Sequence, residues 1–410
     1  MIRKSKNIGL LLVFALVINS CIQQIDIAEF PDQQKLVIEA NFTDELKVQE
    51  VRLFFTGSVA GGEQPPLSGA IVQIEDDNGL VIPFVESSPG MYSSSFEVRG
   101  EQGRSYKLSF ETTGGERFST DFQKMPKKIA VQSIQSQSVE LAPEQESGLA
   151  LSSGLLFTVN AEGLSDEDVF TRMQWRDALR TVVPYPSKFT GNVRIPEIEE
   201  RPSPMDTCYL TDISTEVLLS NSVGNPDAVI NGFGLNAIRF SQLLYADRYL
   251  IEVKINSISR DAYDYYEGLQ NLTDGAGTLF DIQQGEVFGN VRSESTNGEF
   301  TLGFFEVASV TVSTEIFDLP QLRSENNEQD GFDVLCPSTA FYQWSDGPLM
   351  DFFEGVDVGG DFFEVNQRAP YRVYDYDSLP PPWGTAFLRF AQCTDCIFFG
   401  SRSRPIYWPE

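Results

Sequence analysis

Five cysteines carry the most specific chemistry in this sequence. Cys21 ends an apolar run near the start, and Cys208, Cys336, Cys393 and Cys396 lie far beyond it. Cys393-Thr394-Asp395-Cys396 has the CxxC spacing. A redox dithiol would put its first cysteine at a helix N-terminus, where the thiol pKa drops. Here Ile397, Phe398, Phe399 and Gly400 follow, which reads as strand and turn, and no βαβ pattern surrounds them. A four-thiolate zinc site needs a second close pair, and there is one CxxC. The expectation is therefore structural disulfides among these four, with about three pairings open. At least one is expected to pin the C-terminal tail to the body through Cys336 or Cys208.

The acids come next. Asp351, Glu354, Asp357 and Asp361 cluster, with Asp375 and Asp377 further on. Two carboxylates roughly 5–9 Å apart serve glycoside hydrolysis, and about six to eight oxygens hold calcium. Asp375-Tyr376-Asp377-Ser378 lacks the glycine and distal glutamate of an EF-hand,. Loop aspartates mostly cap turns, so neither a metal site nor a catalytic residue is assigned. Phe352, Phe353, Phe362, Phe363, Tyr371, Tyr374, Tyr376 and Trp383 crowd one stretch. Exposed rings offer much apolar area with few torsions. Glycine-bounded Phe pairs cannot all face one strand's core, so this group is a candidate binding surface, with core packing its rival. Arg402 and Arg404 are candidate partner contacts, with satisfied surface pairs the simpler reading. Gly359-Gly360 lacks the Lys-Ser/Thr of a phosphate loop,.

What is missing narrows the field. The chain has no histidine, which removes Ser-His-Asp and Cys-His nucleophile pairs, imidazole metal ligands and the histidine pH switch. Its 30 Lys and Arg face 59 Asp and Glu, for a net charge of -29. Nucleic-acid binding needs cations to displace counterions, so no nucleic-acid partner is expected. With 410 residues, 41% hydrophobic and 22% charged, the chain can build two or three cores,.

The first 20 residues have an export shape: Arg3, Lys4 and Lys6, then an apolar stretch from Ile8 to Ile18,. Ile18-Asn19-Ser20-Cys21 resembles a bacterial lipobox, in which the cysteine sulfur takes the lipid. Acyl chains, palmitate among them, would anchor Cys21, since each buried methylene contributes about 0.8 kcal/mol. No later stretch approaches the ~20 apolar residues of a membrane helix. Removing residues 1–20 takes three cations and no acid, leaving 27 against 59, or -32.

Between residues 35 and 125 the apolar positions alternate with period two, with turn signals about every ten residues,. KLVIEANF, VRLFFTGSV, AIVQIED, GMYSSSFEV, YKLSFET and RFSTDFQKM read as strands. Asp77-Asn78-Gly79 and Thr113-Gly114-Gly115 read as hairpin turns,. Ser68-Gly69-Ala70, Val72, Ile74, Gly79, Gly90-Met91-Tyr92 and Tyr106-Lys107-Leu108 resemble the Ig-like/carboxypeptidase-regulatory-like sandwich,. After Pro126-Lys127-Lys128 comes a polar stretch at 133–148, a loop or an edge, and then strands at LLFTVNAEG and VFTRMQWRD. Prolines 184, 186, 196, 202 and 204 mark a long surface excursion,. YLIEVKINSI, EVFGNV and EFTLGFFEVASVTVSTEIF continue the β signal. One helix is expected, capped by Ser259, with Ala262, Tyr265, Tyr266, Leu269 and Leu272 on one face and its end at Asp274-Gly275,. Residues 320–333 are acidic and read as loop.

The order YLIEV, ISRDAY, GTLFD, GNV, LGFF, then CxxC, Gly400, Pro405 and Tyr407-Trp408-Pro409 resembles Bacteroidota outer-membrane lipoproteins catalogued only as a domain of unknown function. That resemblance implies a lipobox, an Ig-like domain and a gene often beside a TonB-dependent receptor. It carries no agreed catalytic residues. Asp26 and Glu29 give a mildly acidic tether that weakly resembles surface-export signals in some such lipoproteins.

The expectation is a mainly β protein: a signal peptide at 1–20, a lipidated tether at 21–34, an Ig-like β-sandwich at 35–126 and a larger β-rich domain with one short helix at 127–410. Its expected role is non-enzymatic, without cofactor: an outer-membrane, lipid-anchored accessory of a TonB-dependent β-barrel receptor, at the cell surface, binding or taking up a ligand. The rival roles are a structural or assembly lipoprotein and a carboxylate-based hydrolase.

Overall fold

The computed structural model describes residues 34–57, 64–142, 152–163, 167–187, 189–192, 195–200, 206–225, 229–274, 287–295, 301–336, 342–344, 371–377 and 385–409. The alternating N-terminal segments form β1 (Leu36–Thr43), β2 (Glu50–Phe55), β3 (Ile71–Asp76), β4 (Val81–Ser88), β5 (Met91–Ser94), β6 (Ser105–Glu111), β7 (Arg117–Thr120) and β8 (Gln123–Lys124). Their alternation is the cause of the fold here, because side chains two apart share a face. Ile38, Leu53, Ile74, Tyr92, Leu108 and Phe110 point inward into one core. Gly79 closes the β3–β4 hairpin at φ +84°, a left-handed conformation that glycine adopts without strain,.

The remaining strands are β9 (Ile129–Leu141), β10 (Ser152–Gly163), β11 (Phe170–Val182), β12 (Phe189–Asn192), β13 (Ile195–Glu200), β14 (Thr207–Ile213), β15 (Leu218–Asn221), β16 (Val229–Arg239), β17 (Arg248–Ile258), β18 (Val291–Ser293), β19 (Leu302–Asp318), β20 (Tyr342–Trp344), β21 (Tyr371–Asp377) and β22 (Thr385–Phe390). The helices are α1 (Phe240–Leu243), α2 (Arg260–Asp274), α3 (Leu319–Glu325), α4 (Gly331–Leu335) and α5 (Ala391–Thr394).

One 14-stranded sheet runs in the order β14-β11-β17-β19-β1-β2-β5-β4-β3-β6-β7-β18, with β15 and β8 pairing beside it. β19 makes this continuity. Its first half lies parallel to β1, from Val37 against Leu302 to Thr43 against Ala308. Its second half lies antiparallel to β17, from Ser257 against Ser309 to Arg248 against Asp318. The sandwich core accordingly takes in Phe305 and Val307 of β19 and Val291 of β18, from far along the chain. Gly303, in LGFF, adopts φ +86°, and a Cβ there would sit 1.9 Å from the Ile38 carbonyl oxygen. Only glycine lets the two strands approach this closely at the start of their pairing.

A second sheet, β16-β10-β9, covers one face of the C-terminal strands. Phe157 and Val159 from it meet Met173, Tyr249, Ile251, Val253 and Ile255. The polar 133–141 stretch is thus an edge strand, within β9. The proline-bearing excursion holds the β12–β13 hairpin, and β20-β22-β21 forms a small third sheet.

The structure corrects three local expectations. Residues 320–333 hold two short helices rather than loop. Asp318 caps α3 by accepting from the Gln321 N–H at 3.0 Å, and Asp330 caps α4 by accepting from Phe332 N–H at 2.8 Å,. Acidic residues here cap helices as well as face water. After β22 the chain forms α5 and a 3-10 turn, Cys396–Phe398, in place of strand, with Asp395 accepting from Ile397 N–H at 3.0 Å. The EVFGNV segment pairs only from Val291 onward.

Candidate functional site

α2 follows the expected helix. Ser259 Oγ accepts from Ala262 N–H at 3.2 Å, and the helix runs 15 residues to Asp274. Ala262 and Tyr263 are buried with Ile258, Phe304 and Ala308. Tyr265 and Tyr266 pack partly beside them, whereas Leu269 and Leu272 reach solvent. The helix thereby covers the line where β19 passes from β1 to β17.

Between α2 and the outer face of β1 and β2 lies a groove of about 940 Å³. Tyr265, Tyr266 and Leu269 form its helical wall. Val37, Glu39, Asn41, Leu302 and Phe304 form the floor, and Lys47, Val48, Glu50, Arg52 and Met91 the far side. The size matches small-molecule sites, and so does a mostly apolar lining with a few polar groups. Arg52 is taken by Glu39 at 3.2 Å, and Lys47 by Glu45 at 2.8 Å. Asn41 Oδ1 is buried and accepts no hydrogen bond among the described residues. An unpaired buried acceptor is costly, so a donor entering the groove would gain there. No thiol or serine stands among these lining side chains.

Behind the groove the outer face of the sheet turns polar. Arg172, Arg176 and Arg180 sit four residues apart on β11, so all three share one face,. Each meets an acid and an aromatic ring. Arg172 donates from Nε and Nη2 to Glu306 at 2.9 and 2.8 Å and lies 5.0 Å from the Tyr266 ring. Asn256 Nδ2 adds a bond to Glu306 at 3.1 Å. Arg176 pairs with Glu252 at 2.6 Å and lies 4.1 Å from the Tyr407 ring. Arg180 donates from Nε to Asp247 at 3.1 Å and lies 5.8 Å from the Trp408 ring. Burial works against the charge on Arg172, but the Glu306 carboxylate more than offsets it and holds the guanidinium ionised,. Burial likewise pushes the Tyr266 hydroxyl well up, and Glu306 adds to it.

The opposite face of β11 carries Asp177, 5% exposed. Tyr249 O–H donates to it at 2.9 Å, Asn236 Nδ2 at 3.0 Å and Asp212 N–H at 3.1 Å. Burial raises its carboxyl to about 6 despite those donors,. Tyr407 O–H donates to the Asp177 carbonyl at 2.7 Å, and Trp408 is buried against Ala178 and Leu250.

The tail is held by both disulfides, Cys208–Cys396 and Cys336–Cys393. The two cysteines of the CxxC therefore have different partners, and the spacing is not a dithiol couple. Arg402 is bound by both oxygens of Asp395 at 3.0 Å, the satisfied pair the sequence suggested. Among the described residues no group of three or more acids or cysteines is placed to hold a metal.

Several sequence candidates lie outside the described residues: Cys21, Asp351, Phe352, Phe353, Glu354, Asp357, Asp361, Phe362, Phe363 and Trp383. Tyr371, Tyr374, Asp375, Tyr376 and Asp377 are on β21, whose side chains also lie outside them. The groove itself went unread, because its walls come from segments over two hundred residues apart. The arginine spacing of four within an alternating strand was the available signal for the ladder.

Fold and site together define a mainly β protein, in which a sandwich is spliced to a larger β region by one shared strand and the tail is closed by two disulfides. The chain belongs to the family described as Domain of unknown function (DUF4249), whose model matches residues 22–314. That span holds the sandwich, α2, LGFF and Cys208, and stops before the other three disulfide cysteines. No curated protein matches the chain. No helix among the described residues is long and apolar enough to cross a membrane.

Proposed function

We propose that the protein is a non-enzymatic lipoprotein, anchored through Cys21 to the outer membrane and displayed at the cell surface. It acts as an accessory to a TonB-dependent β-barrel receptor and presents the α2 groove to a ligand. The groove carries the reading: it combines ligand-sized volume, an aromatic and aliphatic lining, and a buried acceptor awaiting a donor at Asn41,. The basic start, apolar run and Ser20-Cys21 support the anchor,. Two or more acyl chains make such anchoring stable.

The test is a mild-detergent pull-down of the tagged lipoprotein from native outer membrane, followed by mass spectrometry. A stoichiometric TonB-dependent barrel is expected. Several envelope proteins without that barrel would instead assign an assembly role. Cys21→Ala is expected to abolish incorporation of labelled palmitate and release the protein from the membrane fraction. Retention without label would overturn the anchor.

A further inference from the structure

β14 is the outermost strand of the large sheet. Its Asp212 N–H points inward to the Asp177 carboxylate on β11 at 3.1 Å, and just past the strand Ser214 N–H reaches the Trp175 carbonyl at 2.8 Å. In an antiparallel ladder the intervening residues direct their backbone groups the other way. Tyr209 does so, exchanging bonds of 2.7 and 2.8 Å with Ser401 of the tail. Thr211 and Ile213 share that orientation, and the Ile213 N–H is taken by the Asp212 carboxylate at 2.8 Å. The tail turns away after Ser401, and no described residue pairs on that side with the backbone of Thr211 or the Ile213 carbonyl. Leu210 and Ile213 are 54% and 63% exposed on this open edge. Edge strands are usually blunted by charge, proline or a bulge, and the segment Leu210-Thr211-Asp212-Ile213 carries Asp212 as its one charge and no proline.

Beside the edge lies a second groove, of about 620 Å³, with Arg404 and Ile406 on its tail side. Ile406 is fully exposed. Arg404 donates to the Trp408 carbonyl at 3.1 Å, and no carboxylate among the described residues pairs with it. A guanidinium without a carboxylate partner among the described residues is notable on a chain of net charge -29.

We propose that the open edge of β14 is a strand-addition site for an extended segment of a partner protein, one carrying aliphatic side chains and a carboxylate. The partner backbone continues, at Thr211 and at the Ile213 carbonyl, the pairing that Ser401 begins at Tyr209. Its aliphatic side chains cover Ile213 and Ile406, and its carboxylate meets Arg404. Main-chain bonds supply affinity in this mode and side-chain contacts supply selectivity.

The probe is a displayed library of random linear dodecapeptides, selected on the full-length lipoprotein in detergent. Selected peptides are expected to alternate aliphatic residues, carry Asp or Glu, and slow amide exchange at Thr211. Thr211→Ala, which keeps the N–H, is expected to bind normally. Thr211→Pro removes an outward N–H, a change edge strands tolerate, and is expected to abolish binding. Arg404→Glu lies outside the sheet and is expected to weaken binding roughly tenfold; it decides the matter even if Thr211→Pro does not fold. Failure to select any peptide, undiminished binding by Arg404→Glu, or absence of protection at Thr211 would overturn the proposal. So would a concentration-dependent dimer that Thr211→Ala keeps and Thr211→Pro loses, because the edge would then belong to a second copy of the chain.

Discussion

The outer face of β1 and β2 carries Glu39, Glu50 and Arg52 exposed, while the outer face of β11, β17 and β19 carries Arg172, Glu252 and Glu306 beneath a helix and a tail. The strands belong to one sheet and use the same residue types. The difference is cover. In the first region the charges stay hydrated, and their pairs contribute little. In the second, α2 excludes water from Arg172 and Glu306, whose side chains are 13% and 1% exposed, so that guanidinium depends on its carboxylate, while Arg176 stays as open as Arg52,. An ion pair that merely decorates one half of the sheet is, as Arg172–Glu306, buried in the other.

The largest test of this contrast is Glu306→Ala, which strands Arg172 in a buried site. It is expected to cost about 3–5 kcal/mol in urea unfolding, against less than about 1 kcal/mol for Glu39→Ala, whose partner Arg52 is exposed,. Equal losses would erase the distinction between the two faces.

Next is Asp177. Its folded-state value of about 6 lies above the ordinary carboxyl value of 3.8. The folded protein therefore binds this proton more tightly than the unfolded chain. The resulting stability is present below about pH 4 and is lost as pH rises through about 6, where ionised Asp177 costs roughly 3 kcal/mol. The stability of Asp177→Asn relative to wild type is expected to rise by up to that amount between pH 4 and pH 7, in denaturation curves taken across the range. A pH-independent difference would refute the burial argument.

Cys336→Ser with Cys393→Ser is expected to cost about 2–4 kcal/mol. Limited proteolysis should then cut the tail before the sandwich strands. The smallest effect is Ser259→Ala, which removes the α2 cap for about 1 kcal/mol. It should loosen the groove wall in hydrogen exchange while leaving the Arg180–Asp247 end protected.

Legibility followed the same divide. The strands of the sandwich were readable because one face is wet and one dry, which writes a period of two into the chain. The cap and the end of α2 were readable from Ser259 and Asp274-Gly275, and so was its most deeply buried residue, Ala262, although the buried Tyr263 beside it was absent from the predicted stripe. α3 and α4 were hidden because Pro320 and the acids that cap them look like loop composition. The disulfides were expected as a class, but their pairing depended on where β14 meets the 3-10 turn and where the end of α4 meets α5. The parallel contact of β1 with β19 had no local signal, since nothing near Leu36 or Leu302 specifies a partner so distant.

That contact sets a schedule for the chain. Phe305 and Val307 complete a core whose other members are threaded far earlier, from Ile38 onward. During synthesis, from the amino end forward, the first sandwich strands must wait for their last neighbour until most of the polypeptide has been made. The interval leaves a row of apolar side chains and the parallel edge of β1 uncovered. A chaperone that recognises extended apolar strands therefore has its longest opportunity on the first quarter of this protein, and release of that segment coincides with the arrival of Gly303.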